Sequence, residues 1–444
     1  MRWDLARIAE ECRGTAAGEA TVRSVTTDSR AVGDDAVFVA VRGENHDGHR
    51  FISDAVTSGA VAVVAERGRL PAGVAGVEVD DTIEALRRMA MARRKELTVP
   101  VVAVTGSSGK TTTKDLTGAV LGIGTHTSPH SYNNEFGVPL TLLGTPDDAT
   151  ALVVEVGSRG PGHIAHLAEA ILPDVAVITN VGRAHLEMFG TVDRVIEAKW
   201  ELVDALGPEG IAVLPAADDR LASRRSGGLI TFGEAAGADV DARDVVVDDS
   251  GRTRFVLHHE GVSAAVALRL PGRHQPVNSA AAVAAAVAVG EDFETAAGRL
   301  AAAEVSPWRM ELAEVPFGSG SIVIVNDSYN ANPDSMAAAL ATVAEMPGRH
   351  FAVLGKMHEL GEFEVAAHRE AGEQAAALGF RVLAVGEDPG LAIGAGEAAT
   401  AVADAAAAVD ALHRLLEPGD VVLIKASRAA GLESVAAAFE DGGS

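Results

Sequence analysis

Short apolar runs alternate with amphipathic stretches along most of this chain, and the spacing of the two divides it into three units. In the first, AVFVAVRG (36–43) and AVAVVA (60–65) read as strands, and helical periodicity runs over 81–97 before Pro100 marks a join. From residue 101 onward the pattern becomes strand, turn, helix, strand, with buried-type runs at 101–104, 151–156, 175–179 and 211–214. Runs that are apolar without alternation, separated by helices, predict a parallel sheet covered on both faces. A second such series follows Ser306, Pro307 and Trp308, with runs at 322–325, 351–354, 382–385 and 421–424. Between the two, TRFVLHH (from Thr253) and AAVALRL (from Ala264) alternate strictly, which predicts a small antiparallel appendage over 230–270. The expected architecture is α/β in three domains: a small α/β domain (1–97), a central phosphate-loop domain on a parallel sheet (98–308) and a C-terminal Rossmann-like doubly wound domain (309–444).

Composition narrows the functional classes. A chain of 444 residues fits roughly three domains by length alone. The 37 Lys plus Arg against 62 Asp plus Glu give a net charge of −25, which excludes an extended nucleic-acid or anionic-membrane surface. An anionic substrate must therefore meet locally gathered cations or metal ions. The single cysteine, Cys12, has no partner for an internal disulfide and fits a reducing compartment. The opening MRWDLARIAEECRG lacks the apolar core of a secretory signal. AAAVAAAVAV (280–289) falls short of the roughly 20 residues that span a bilayer and reads as a helix packed through small side chains. A soluble cytoplasmic protein without membrane insertion is expected.

Four segments carry chemistry. In VVAVTGSSGKTTTKDL (101–116), Gly106, Ser107, Ser108, Gly109, Lys110, Thr111 and Thr112 lie between a predicted strand and a predicted helix. Glycines there let backbone N–H groups approach phosphates, Lys110 adds charge, and a threonine hydroxyl is a Mg²⁺ ligand. In TVDRVIEAKWELVDAL (191–206), Lys199 stands within the apolar stripe of a helix. Two readings stay open for it: a stem that packs while its charge reaches water, or a head that is chemically used, with a depressed pKa or as a carbamate. Glu155 closes one strand run, and His185 follows another, so the fold rule sets both on the rim of the phosphate loop. In IVIVNDSYNANPDSM (322–336), Asn332 and Pro333 suit a helix start, whereas Asp327, Tyr329 and Asn330 at the strand end are left for a ribose, base or substrate.

The motifs TGSSGKTT, SYNNEFGVPLTLL, EVGSRGPGHI, NVGRAHLEMFG, EAKWEL, PGRHQPVNSAAAVAAA, NDSYNANPDSM, VLGKMHELG and LIKASRAAGLE occur in that order over nearly the whole chain. Together they resemble the bacterial Mur ligases, and NDSYNANPDSM resembles the branch that handles D-alanyl-D-alanine. The resemblance implies ATP-dependent amide formation: the carboxylate of UDP-N-acetylmuramoyl-tripeptide takes the γ-phosphoryl group, and the amine of D-alanyl-D-alanine displaces phosphate from the acyl phosphate. It implies that Gly106 to Thr112 hold the ATP phosphates and that Thr111 and Glu155 hold one Mg²⁺. His185 and a carbamylated Lys199 hold a second. Lys110, His185 and Lys199 are then the catalytic set. Asn278 is implied at the adenine, Arg309 on the phosphate side and Asp327 at the ribose, with Tyr329, Asn330 and Asn332 lining the dipeptide cleft. Ser29, Arg30, Gly43, Asp47 and His49 match the uridine-diphosphate pocket, and Asn133 and Asn134 the muramoyl-peptide contacts. A monomer is expected. Two departures stand out: Ala216, Ala217, Asp218 and Asp219 replace the family's Asn-Ala-Asp-Asp, and Lys356 stands where an aspartate is common. A nucleotide-binding switch that uses the same loop without ligation is the alternative from another class.

Overall fold

The computed structural model describes residues 1–43, 46–182, 186–225, 227–234, 236–387 and 389–440. Its centre is a nine-stranded sheet ordered Val262–Pro271, Arg252–His259, Val240–Val247, Leu229–Gly233, Ile211–Pro215, Val175–Ile178, Val101–Thr105, Ala151–Glu155, Thr125–Thr127. Val101–Thr105 is buried along its whole length, as a valine-rich central strand covered by helices must be. The next strand in sequence pairs on neither side of it. The chain passes to the edge at Thr125–Thr127, returns through Ala151–Glu155, and crosses to the far side at Val175–Ile178. The strand order thus reverses around Val101–Thr105, the kind of point at which open α/β sheets bind ligands.

The antiparallel segment differs from the sequence-based expectation. It is no appendage: Leu229–Gly233 pairs parallel with Ile211–Pro215 and with Val240–Val247, after which two antiparallel pairings extend the same sheet. Alternation revealed the antiparallel strands but not that backbone pairing continues into the parallel core. One face of this core is covered by the helix Gln275–Ala288, whose residues from Ala280 to Ala286 are all fully buried. Alanine lets that helix lie close both to the sheet and to the helix Lys110–Leu121, which packs beside it.

The C-terminal sheet runs Glu311–Phe317, Gly320–Asn326, Val421–Lys425, His350–Leu354, Arg381–Val385, Ala399–Val402, parallel except for its first strand. The last strand in sequence, Val421–Lys425, inserts between two earlier ones, so a second reversal sets Asp327 beside Lys425. The N-terminal sheet runs Thr15–Ala17, Gly76–Val79, Ala62–Glu66, Ala36–Val39, Ser24–Thr26. Its helix Thr82–Glu96 begins at Asp81, which accepts from the N–H groups of Ile83 and Glu84. Among the described residues no helix is long and apolar enough to cross a membrane.

Because the alanine helix has no slack on either side, Ala282→Leu is expected to destabilise the chain by about 1–3 kcal/mol. The measurement is the midpoint of urea unfolding, with wild-type stability of the variant contradicting the packing described here.

Candidate active site

The phosphate loop is seated by the strands on both sides of it. Gly106 passes so close to Thr179 that a Cβ at this position would stand 1.9 Å from Thr179 Oγ1. From Thr179 the hydroxyl donates to Ser108 O (2.6 Å), and the Asn180 amide brackets Ser108, accepting from its N–H (3.0 Å) and donating to its hydroxyl (2.8 Å). Ser107 Oγ accepts from Gly182 N–H (2.9 Å). Gly109 closes the loop with φ 74°, and Lys110 opens the helix Lys110–Leu121. Its Nζ bends back to the carbonyls of Gly106 (2.8 Å) and Ser107 (3.4 Å).

On the other side a directed chain of hydrogen bonds runs from a cation to an anion. Arg309 Nη2 donates to Ser131 Oγ (2.9 Å), Ser131 Oγ lies 3.1 Å from Thr111 Oγ1, and Thr111 donates to Glu155 Oε2 (2.7 Å). A guanidinium only donates and a carboxylate only accepts, so both hydroxyl protons point toward Glu155. Asn133 Nδ2 donates to Glu155 Oε1 (2.8 Å). Glu155 is buried at the end of its strand, 1% exposed.

Lys199 lies on the helix Val192–Asp204, where the Thr191 hydroxyl caps the N–H of Arg194. It is 1% exposed, so its head does not reach water in the manner of a snorkelling stem. Burial, and then the charge of Lys110, hold its pKa well below the ordinary lysine value. Burial also lowers the pKa of Lys110, opposed by Glu155 and reinforced by Arg309. Three basic side chains are therefore electrostatically coupled within one site of an acidic protein. His185, the remaining member of the predicted catalytic set, lies outside the described residues.

The C-terminal domain closes the site from above. Trp308 and Met310, with φ of 61° and 53°, flank Arg309 in the left-handed region. Such backbone needs support. Arg428 stacks over Trp308 at 4.0 Å, Met310 N–H donates to Asp327 Oδ1 (3.2 Å), and Arg309 itself lies 4.3 Å over the Tyr329 ring. The fully buried Lys425 donates to Asp327 Oδ2 (2.5 Å) and Asn330 O (2.8 Å). Asn332 caps the helix Pro333–Ala344 in a capping box with Ser335, as the sequence suggests, and its Nδ2 also reaches Ser107 O (3.4 Å).

A cavity of about 890 Å³ lies between the phosphate loop and this domain. It gathers most of the predicted residues: Ser107 to Thr112, Asn133, Asn134, Glu155, Asn278, Arg309, Asp327, Tyr329, Asn330 and Asn332. Sequence reasoning missed Ser131, Asn180, His274, Gln275 and Lys425. Of these, only Lys425 and Asn180 had a signal, a polar residue ending an apolar strand run. His274 is half-buried, its Nδ1 has no hydrogen-bond partner among the described residues, and desolvation of the ring lowers its pKa.

The predicted N-terminal residues stand outside this cavity. Asp47 caps a short turn and accepts from His49 Nδ1 (2.7 Å) and Arg69 Nη2 (2.9 Å), while His49 Nε2 accepts from Glu66 N–H (2.9 Å). His49 is thereby fixed as its Nδ1–H tautomer. Gly43 N–H closes the preceding loop on His46 O (2.8 Å). Arg30 is exposed and pairs with Asp28, one residue before Ser29, holding that carboxyl at about 2. Of the two departures, Asp218 caps the helix Asp219–Ala222, and Lys356 pairs with Glu364 at 2.8 Å.

Comparison with known proteins matches three parts of the chain: the Mur ligase family catalytic domain to residues 21–94, the Mur ligase middle domain to 104–286, and the Mur ligase glutamate ligase domain to 308–428. Proteins named UDP-N-acetylmuramoyl-tripeptide--D-alanyl-D-alanine ligase are 38% identical in Mycobacterium bovis, over 98% of this chain and 97% of that one, and 35% identical in Escherichia coli, over 95% of each. A crystal structure of MurF from Acinetobacter baumannii superposes with a TM-score of 0.89 at 30% identity, covering 99% of both chains. MurF from Thermotoga maritima in complex with ADP gives 0.82 at 33% identity, over 95% of this chain and 97% of that one.

The close crossing at Gly106 sets a test. Gly106→Ala forces the loop away from Thr179 at a cost of about 1–3 kcal/mol, so calorimetric affinity for a non-hydrolysable ATP analogue is expected to fall roughly tenfold or more. Unchanged affinity would show that the loop is not seated by this contact.

Proposed function

The chain belongs to the Mur ligase family, and we propose that it is the ATP-dependent ligase that joins D-alanyl-D-alanine to UDP-N-acetylmuramoyl-tripeptide, yielding the pentapeptide precursor of peptidoglycan. The single observation that carries this reading is the cavity that brings a phosphate loop, a buried carboxylate and the C-terminal Tyr329, Asn330 and Asn332 around one space. On this reading residues 1–97 bind the UDP-muramoyl peptide through Ser29, Arg30, Gly43, Asp47 and His49, which stand outside the cavity, residues 98–308 bind ATP, and residues 309–444 present the dipeptide.

The chemistry follows from the residues present. A carboxylate is a poor electrophile because its leaving group is oxide; transfer of the γ-phosphoryl group makes the leaving group phosphate. Lys110 and Arg309, which line the cavity, would stabilise the negative charge that grows during that transfer. Asn133 and Asn134 hold the muramoyl peptide so that its carboxylate meets the terminal phosphate. Asp327 binds the ribose, oriented by Lys425.

Thr111 and Glu155 fit Mg²⁺, being hard oxygen donors 2.7 Å apart at the end of the phosphate loop. Among the described residues no three His, Cys, Asp or Glu side chains gather around one point. That suits an ion which keeps waters and phosphate oxygens for most of its shell. When bound, Mg²⁺ neutralises phosphoryl charge. To admit it, Thr111 must turn its proton away from Glu155, which the chain from Arg309 opposes until a nucleotide engages the guanidinium. Lys199 fits the carbamate reading: burial and the nearby charge of Lys110 lower its pKa and so favour the neutral amine, the form that adds CO₂. With His185 it would hold a second Mg²⁺.

Lys199→Ala is expected to lower kcat by roughly 10²–10³-fold, as for loss of one charge-stabilising group, with partial recovery in excess bicarbonate and a short-chain carboxylic acid. An active variant would remove the carbamate. The ligation itself is tested by phosphate release with each substrate omitted in turn: release is expected only when UDP-muramoyl-tripeptide and D-alanyl-D-alanine are both present. Release independent of both would favour the nucleotide switch.

A further inference from the structure

One buried pair of amides in the cavity is oriented by a group that no proton shift can reverse. Gln275 is 2% exposed and Asn278 7% exposed, one turn apart at the start of the alanine helix. Gln275 Nε2 donates to Pro271 O (3.3 Å), and Asn278 Nδ2 donates to Gln275 Oε1 (3.1 Å). The direction of this pair follows from its far end. A backbone carbonyl can only accept, so the nitrogen of Gln275 must face Pro271; its oxygen must then face Asn278, and Asn278 must answer with its own nitrogen. The Asn278 oxygen is thereby turned toward the phosphate loop: Oδ1 would stand 2.7 Å from a Cβ on Gly109, whereas Nδ2 would stand 3.7 Å away. Both side chains line the cavity.

We propose that Gln275 is a positioning residue that locks Asn278 with its oxygen toward the nucleotide, and that this lock selects a base carrying an exocyclic amine over one carrying a carbonyl. The inference rests on the reading of the cavity as an ATP site. Adenine offers an amino donor at position 6, which matches a fixed amide oxygen. Hypoxanthine offers a carbonyl at the same position, and two oxygens facing each other leave both without a donor. A site whose buried polar group goes unpaired rejects the wrong ligand more strongly than one that merely lacks a contact. Without Gln275 the Asn278 amide can turn over and present its nitrogen, and the preference collapses.

The test compares ATP with inosine triphosphate, whose base carries a carbonyl in place of the 6-amine and a proton on the adjacent N1. In Gln275→Leu the ratio of kcat/KM for ATP to that for inosine triphosphate is expected to fall roughly tenfold, the worth of about one hydrogen bond, through KM, with kcat for ATP within about twofold of wild type. Gln275→Glu serves as the conservative variant. A buried glutamic acid is held protonated, donates to Pro271 O, and accepts from Asn278 as glutamine does; its preference for ATP should stay at the wild-type value. Thermal unfolding and UDP-substrate binding of both variants separate lost folding from lost selectivity. An unchanged ratio in a folded, active Gln275→Leu protein overturns the lock, as does an equal loss in both variants. A wild-type protein that ligates with neither nucleotide would instead sink the reading of the site itself.

Discussion

The chain of donors from Arg309 through Ser131 and Thr111 to Glu155 is the constraint on which the site depends. Its members come from the C-terminal domain, a loop beyond the sheet edge, the phosphate-loop helix and the strand beside that edge. Because a cation begins it and an anion ends it, each intervening hydroxyl has one orientation, and each bond is strengthened by its neighbours. The chain thus ties the C-terminal domain across the cavity to the central sheet. It also keeps Glu155, a buried carboxylate that would be costly alone, fully satisfied by Thr111 and Asn133.

The reciprocal feature is a gathering of basic side chains beside that carboxylate. Burial lowers the pKa of both lysines, and a neighbouring cation adds to it in each case, Arg309 beside Lys110 and Lys110 beside Lys199. In a chain of net charge −25, such a cluster is a local inversion of sign. A bound polyphosphate would pair with Lys110 and Arg309. The alanine helix, the close crossing at Gly106 and the strand-end amides of Asn180 all serve to hold this cluster at short range in spite of its repulsion.

Much of this was legible in the sequence where one residue's neighbours are its local ones. Continuous apolar runs revealed the parallel strands, Asn332 and Pro333 the helix start, and the spacing around Lys110 the phosphate loop. Short edge strands such as Thr125–Thr127 and Ala399–Val402 carry no continuous apolar run, since one side faces solvent, and they went unread. Ser131, Gln275 and Lys425 were hidden for a different reason: each gains its role from partners that the fold supplies, as when Arg309 meets Ser131 from 178 residues away. For Lys199 the spacing alone left snorkelling open, and only burial of the whole helix face closed it.

The central claim is that the phosphate loop activates a carboxylate for amide formation. It is tested most directly with UDP-muramoyl-tripeptide labelled with ¹⁸O in its terminal carboxylate, ligated to D-alanyl-D-alanine with ATP. Attack of that carboxylate on the γ-phosphorus makes one of its oxygens the bridge of the acyl phosphate, and attack by the amine at the carbonyl carbon sends that oxygen out with phosphate. Mass spectrometry should therefore find one ¹⁸O in the inorganic phosphate for each amide formed; phosphate free of label would contradict the account.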